Sequence, residues 1–142
     1  MIIMAVDLGK ARTGLAVCDK GERLASPAGV VNEHGRERLC NEICRIAAER
    51  AVKLFVVGLP RNMDGSEGES AQNAREFAEM LAQRSGIPTE MCDERGTTIT
   101  AHHYLSENNV RGKKRKSTVD AVAATIILED YLTLRRNRGI QP

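Results

Sequence analysis

Three carboxylate positions and one basic run carry the chemistry this sequence could perform. Asp7 ends an unbroken apolar stretch, Ile2 to Val6, where a strand buried on both faces would place no charge without reason. Asp93-Glu94 falls between a short strand pattern and a helix pattern, and Asp120 opens the apolar segment AVAATIIL. Two of the three have structural explanations. Ser117-Thr118-Val119-Asp120 has the Ser-x-x-Asp form of a capping box, and an acid there complements the helix dipole. Asp93-Glu94 suits a cap as well. Taken together they suggest more. Clustered carboxylates repel, and burial would raise their pKa values. A divalent cation removes both problems. Magnesium is bound by one or two carboxylates, with water and substrate phosphate completing its octahedron. Two such ions about 4 Å apart activate a water and stabilise the leaving oxygen in phosphodiester cleavage.

The basic run points to the same class of substrate. Residues 1–110 carry 13 basic and 16 acidic side chains, whereas residues 111–142 carry 8 basic and 3 acidic. The positive charge is therefore local, in RGKKRK (Arg111 to Lys116) and RRNR (Arg135 to Arg138). Five cations in six residues read as a polyanion contact, nucleic acid first. RRNR reads instead as a solvated, frayed tail. Aromatic residues make up 3% of the chain, so no platform exists for stacking several bases. Recognition by shape and backbone follows.

The elements that must position these groups form an α/β pattern. Ile2–Asp7, Arg12–Asp19 and Leu24–Val31 read as strands, the first two as a hairpin between Gly9 and Gly14. Arg36–Arg50 reads as an amphipathic helix and Lys53–Leu59 as a second fully apolar strand. A helix ending near Ser85 is stopped by Gly86 and Pro88. Thr89–Asp93 is a short strand, followed by a helix to about Glu107, a basic loop, and a buried helix from Ser117. The expected fold is a mixed sheet with helices on both faces, antiparallel strands first and parallel ones after, in a single domain over 1–142. Sites gather at the carboxyl ends of parallel strands, where Asp7, Gly58-Leu59-Pro60 and Asp93-Glu94-Arg95 fall.

These motifs resemble a known family. DLGKARTG (Asp7 to Gly14) is similar to the Asp-x-Gly-x-x-Arg-x-Gly opening of the YqgF family, also called RuvX. GLPRNMDGSEG (Gly58 to Gly68), DERGTT (Asp93 to Thr98) and KSTVDAVAATIILEDYL (Lys116 to Leu132) resemble its second, third and fourth motifs. Gly96 departs from the pattern, which usually has an apolar residue there. The resemblance implies a ribonuclease H-like fold. It implies either a Holliday-junction resolvase or the nuclease that completes the 5′ end of 16S ribosomal RNA from its precursor. It also implies catalytic and metal-binding acids at Asp7, Glu94 and Asp120, with Mg2+ or Mn2+ as cofactor.

The other charged residues have smaller roles. Arg12 and Arg95 either hold substrate phosphate or pair with the acids. Lys113, Lys114, Arg115 and Lys116 are equivalent candidates for nucleic-acid contact. Asn62 and Gly65 read as turn formers. His102 and His103 are adjacent and make a poor shared metal site. Cys18, Cys40, Cys44 and Cys92 fit no zinc or redox spacing, and Cys40 and Cys44 suit helix packing. No membrane span or signal peptide is legible, so the cytoplasm is the expected compartment, with the protein a monomer or homodimer. Two other functions fit parts of the pattern. One is a non-catalytic nucleic-acid-binding protein whose acids are caps. The other is a phosphotransferase of the actin-like or sugar-kinase type, which would need a second domain.

Overall fold

The computed structural model describes residues 1–62, 64–93 and 112–139, with 112–120 described by backbone alone. Its frame is a five-stranded sheet in the order β3-β2-β1-β4-β5. The strands are β1 (Ile3–Leu8), β2 (Thr13–Cys18), β3 (Ala25–Val31), β4 (Leu54–Leu59) and β5 (Thr89–Asp93). β1 pairs antiparallel with β2 and parallel with β4, and β4 pairs parallel with β5. The mixed sheet expected from the pattern is therefore present, with strand ends within a residue of those expected. The continuously apolar segments became the inner strands, since only strands covered on both faces favour such a sequence. β3 lies at an edge, where Pro27 costs no ladder bond, and a bulge opposite Leu15/Ala16 uses Gly29 at φ +110°.

Alternation along β1 divides the core. Met4 and Val6 pack with α1 (Arg36–Glu49) and α2 (Glu69–Ser85) on one face. Ile3 and Ala5 pack on the other face against Ala124, Ile127 and Leu128 of α3 (Gly112–Asn137). Helices thus cover both faces, as expected. Gly86 ends α2 in the left-handed region at φ +70°. Cys18, Cys40 and Cys92 are buried, and all four cysteines are free thiols. Burial, with Cys44 adding to it, pushes the Cys40 thiol up to about 11, as suits a packing residue. Among the described residues, no helix is long and apolar enough to cross a membrane. The helix expected to run to Glu107 lies outside the described residues.

Two expectations at the C-terminus need correction. The last helix starts at Gly112, so residues 112–116 form its first turns and are not a loop. Lys and Arg are good helix formers, and no glycine or proline after Gly112 interrupts them. Ser117 is accordingly no N-cap, and the capping explanation of Asp120 falls. RRNR is not simply a frayed tail either. Arg135 is buried, and its Nε and Nη2 donate to Glu22 at 2.7 and 3.3 Å. The guanidinium also lies over the Tyr131 ring, 5.9 Å from its centroid.

Candidate active site

Asp7 is the second-last residue of β1 and is half-buried. Pleat alternation puts it on the face of Ile3 and Ala5, which is the α3 face. Its register partner on β2 is Gly14. On β4 the parallel register ends at Val6↔Val57, so the next residue, Gly58, flanks Asp7 on the other side. Both glycines are buried, and each falls on the α3 face by alternation with Ala16 and Val56. Asp7 therefore stands between two positions without a Cβ.

The β1–β2 turn folds back over this end. A Cβ on Gly9 would lie 2.2 Å from the Arg12 carbonyl oxygen, so only glycine permits so close a return. The turn places half-buried Arg12 directly before β2.

At β5, the register distinguishes the two adjacent acids. Cys92 joins the α3-side core and Met91 packs against the other core. Asp93 alternates with Cys92 and so falls on the α2 face, away from Asp7. Glu94 and Arg95 lie outside the described residues.

α3 brings the third position to the same end of the sheet. Its C-terminal half is held toward the opposite end by Arg135, which meets Glu22, and at mid-sheet by Tyr131, which donates to Glu90 level with Val56 and Ala5. The Met1 ammonium, just before β1, also bonds Glu22 at 3.0 Å. α3 therefore runs antiparallel to β1. From position 135 back to 120 the helix climbs about 22 Å at 1.5 Å per residue. From Met1 to Asp7 the strand climbs about 20 Å. Position 120 thus lies toward the Asp7 end of the sheet, one helical turn before Ala124. The side chains of Asp120, Lys113, Lys114, Arg115 and Lys116 lie outside the described residues, while their backbone is helical. Among the described residues no three metal-capable side chains gather, Glu94 and Asp120 not being among those whose side chains are described.

Burial pushes the Glu22 carboxyl up, but hydrogen bonds from Arg135 and the N-terminal ammonium outweigh it, leaving a net lowering. Sequence reasoning missed this anchor. The spacing puts Arg135 four residues after Tyr131 on the same stripe, but nothing local points to Glu22.

A family model described as RuvX, Holliday junction resolvase, matches residues 1–134. The chain belongs to the RuvX family. Relatives named "Putative pre-16S rRNA nuclease" include one from Chloroflexus aurantiacus. It is 41% identical over 136 residues, covering 96% of the RuvX chain and 89% of the relative. Another, from Anaeromyxobacter sp., is 45% identical over 132 residues, covering 93% and 96%. Among solved structures, Thermus thermophilus RuvC in complex with a Holliday junction superposes with a TM-score of 0.63 at 15% identity, covering 100% of the RuvX chain and 99% of that chain. The Fowlpox virus Holliday junction resolvase gives 0.57 at 14%, covering 94% and 99%. These likenesses give the RuvX chain the ribonuclease H-like fold expected from its motifs.

Proposed function

We propose that this chain is a metal-dependent endonuclease that processes the 5′ end of 16S rRNA from its precursor, in a single domain over 1–142. One observation supports the reading: Asp7 sits at the carboxyl end of the central strand between two glycines, and α3 runs antiparallel to that strand, carrying position 120 toward the same end. Asp7, Glu94 and Asp120 would hold the cation. Glu94 is preferred to Asp93 because Asp93 falls on the other face of the sheet. Hard carboxylate oxygens suit Mg2+ or Mn2+. When bound, such ions activate water for attack on phosphorus and stabilise the leaving oxygen.

The remaining residues bind and orient substrate. Arg12 and Arg95 would take phosphate oxygens near the acids through forked donors. Lys113 to Lys116 occupy the first turns of α3, upstream of position 120, and would supply backbone affinity. The partner would be precursor rRNA, met in the cytoplasm, with no membrane involved. The RuvX family's own description favours a second substrate, branched DNA. Symmetric cutting of a junction would call for a homodimer, whereas a single rRNA end is served by a monomer.

The test is cleavage of a labelled precursor 16S fragment and a four-way DNA junction, each with manganese, with EDTA and with the Asp7→Asn protein. We expect manganese-dependent cutting of the RNA, abolished in Asp7→Asn with fold and binding retained. Junction cutting alone would transfer the function to DNA. Activity unchanged in Asp7→Asn would refute the role of Asp7.

A further inference from the structure

After Gly58 and Leu59, which end β4, the rest of the second motif, PRNMDGSEG, forms the connection to α2 and has no role in the site so far. The loop leaves the carboxyl end of β4, next to the end of β1 that carries Asp7. Its turn is braced internally. Asn62 N and Gly65 N close it at 2.9 and 2.8 Å, and Asp64 Oδ1 accepts from Ser66 N and Oγ at 2.9 and 2.7 Å. Asn62 and Gly65 are thus turn formers, as their residue types suggest.

Arg61 is not balanced in the same way. Glu67 accepts two hydrogen bonds from Arg75, at 2.9 and 3.0 Å. Arg61 approaches that same, already committed carboxylate only to 3.5 Å. Its Nε is buried and, among the described residues, has no hydrogen-bond partner. Two guanidinium groups therefore share one carboxylate, and the less well served has an N–H desolvated for nothing. Leaving such a donor unpaired is costly, and an added acceptor recovers the cost. The loop's carboxylates do not fill that place, because Asp64 is turned to Ser66 and Glu67 to Arg75. An anion with paired oxygens fits a guanidinium fork best. Arg61 lies three residues on from Gly58, one strand over from Asp7, so its Cα is at most about 16 Å from that of Asp7.

We infer that Arg61 is a backbone-phosphate subsite for the RNA, exchanging its loose contact with Glu67 for a phosphate when substrate binds. This rests on the nuclease reading, so the experiment separates the two. Binding of a fluorescent precursor 16S fragment is measured by anisotropy in EDTA, between about 50 and about 200 mM salt. The proteins are wild type, Arg61→Gln, Arg61→Lys and Asp7→Asn. Arg61→Gln is expected to bind about tenfold more weakly, the low end of a charge-assisted bond, with the log–log salt slope reduced by about 0.7. Arg61→Lys keeps the charge without the fork, so the slope should be retained while affinity recovers only in part. Unchanged affinity and slope in Arg61→Gln would overturn the subsite and leave the nuclease reading intact. Should Arg61→Gln fail to fold, Arg61→Lys decides: wild-type affinity there would also overturn the forked contact. Cleavage surviving in Asp7→Asn would remove the catalytic reading alone, and no RNA binding by wild type would remove both.

Discussion

Replacing Glu22 by glutamine removes one charge from a buried pair while keeping its size and one acceptor oxygen. The Arg135 and Glu22 side chains are 9% and 6% exposed, and their closest contact is 2.7 Å. Removing one partner of a buried pair costs about 3–5 kcal/mol, because the other charge is stranded. The retained amide oxygen places Glu22→Gln at the low end, about 3 kcal/mol. At about 2.1 cal/mol/K per residue, unfolding 142 residues carries about 0.3 kcal/mol/K, so Tm should fall by about 10 °C. Thermal unfolding at neutral pH reads this directly, and a double-mutant cycle with Arg135→Met should show positive coupling. The pH dependence has a definite sign. The folded carboxyl titrates below the ordinary glutamate value, so its contribution is complete above that value and is lost as pH falls through the lowered one. The difference between wild type and Glu22→Gln should therefore narrow below about pH 4. A Tm loss under about 3 °C, or a difference that widens in acid, would refute the assignment.

Two further perturbations address the site. Alanine at Lys113, Lys114, Arg115 and Lys116 should reduce the salt slope of RNA binding by about 3, at about 0.7 per lost phosphate contact. An unchanged slope would show that the first turns of α3 are not the main electrostatic contact. Gly58→Val would put a branched side chain beside Asp7 on the α3 face, and cleavage should drop about a hundredfold through misplacement of the reacting groups. Wild-type rates in a folded Gly58→Val protein would show that the space there is not used.

What the sequence revealed and what it concealed follow from the range of each signal. β1 and β4 were legible because continuous apolar runs, Ile2 to Val6 and Leu54 to Leu59, suit strands covered on both faces. The end of α2 was legible because Gly86 and Pro88 are local stop signals. The start of α3 was not. Two local signals compete there: the capping box at Ser117 marks a beginning, while Lys113 to Lys116 favour helix, and the continuous helix won. Arg135 was misread because its partner, Glu22, is 113 residues away. Which face Asp93 takes was equally hidden, since it depends on how β5 registers against β4. Asp7 at a strand end needed only the strand, but the glycines flanking it needed both neighbouring registers.

The distant anchor bears on the site itself. α3 meets the sheet through Ala124, Ile127, Leu128, Tyr131 and Leu132, an apolar contact without directional bonds of its own. Slippage by one turn would move position 120 by about 5.4 Å. Oxygen ligands must lie about 2.0–2.6 Å from a magnesium or calcium ion, so even a fraction of that shift breaks a shared site. The directional contacts that oppose slippage are Arg135 to Glu22, at the other end, and Tyr131 to Glu90, at mid-sheet. Buried ion pairs are weak sources of net stability, and their best-attested use is to fix register. Glu22→Gln should consequently need more manganese for half-maximal cleavage even at temperatures where it is fully folded. A manganese requirement equal to wild type would mean that the anchor stabilises the helix without setting the height of Asp120.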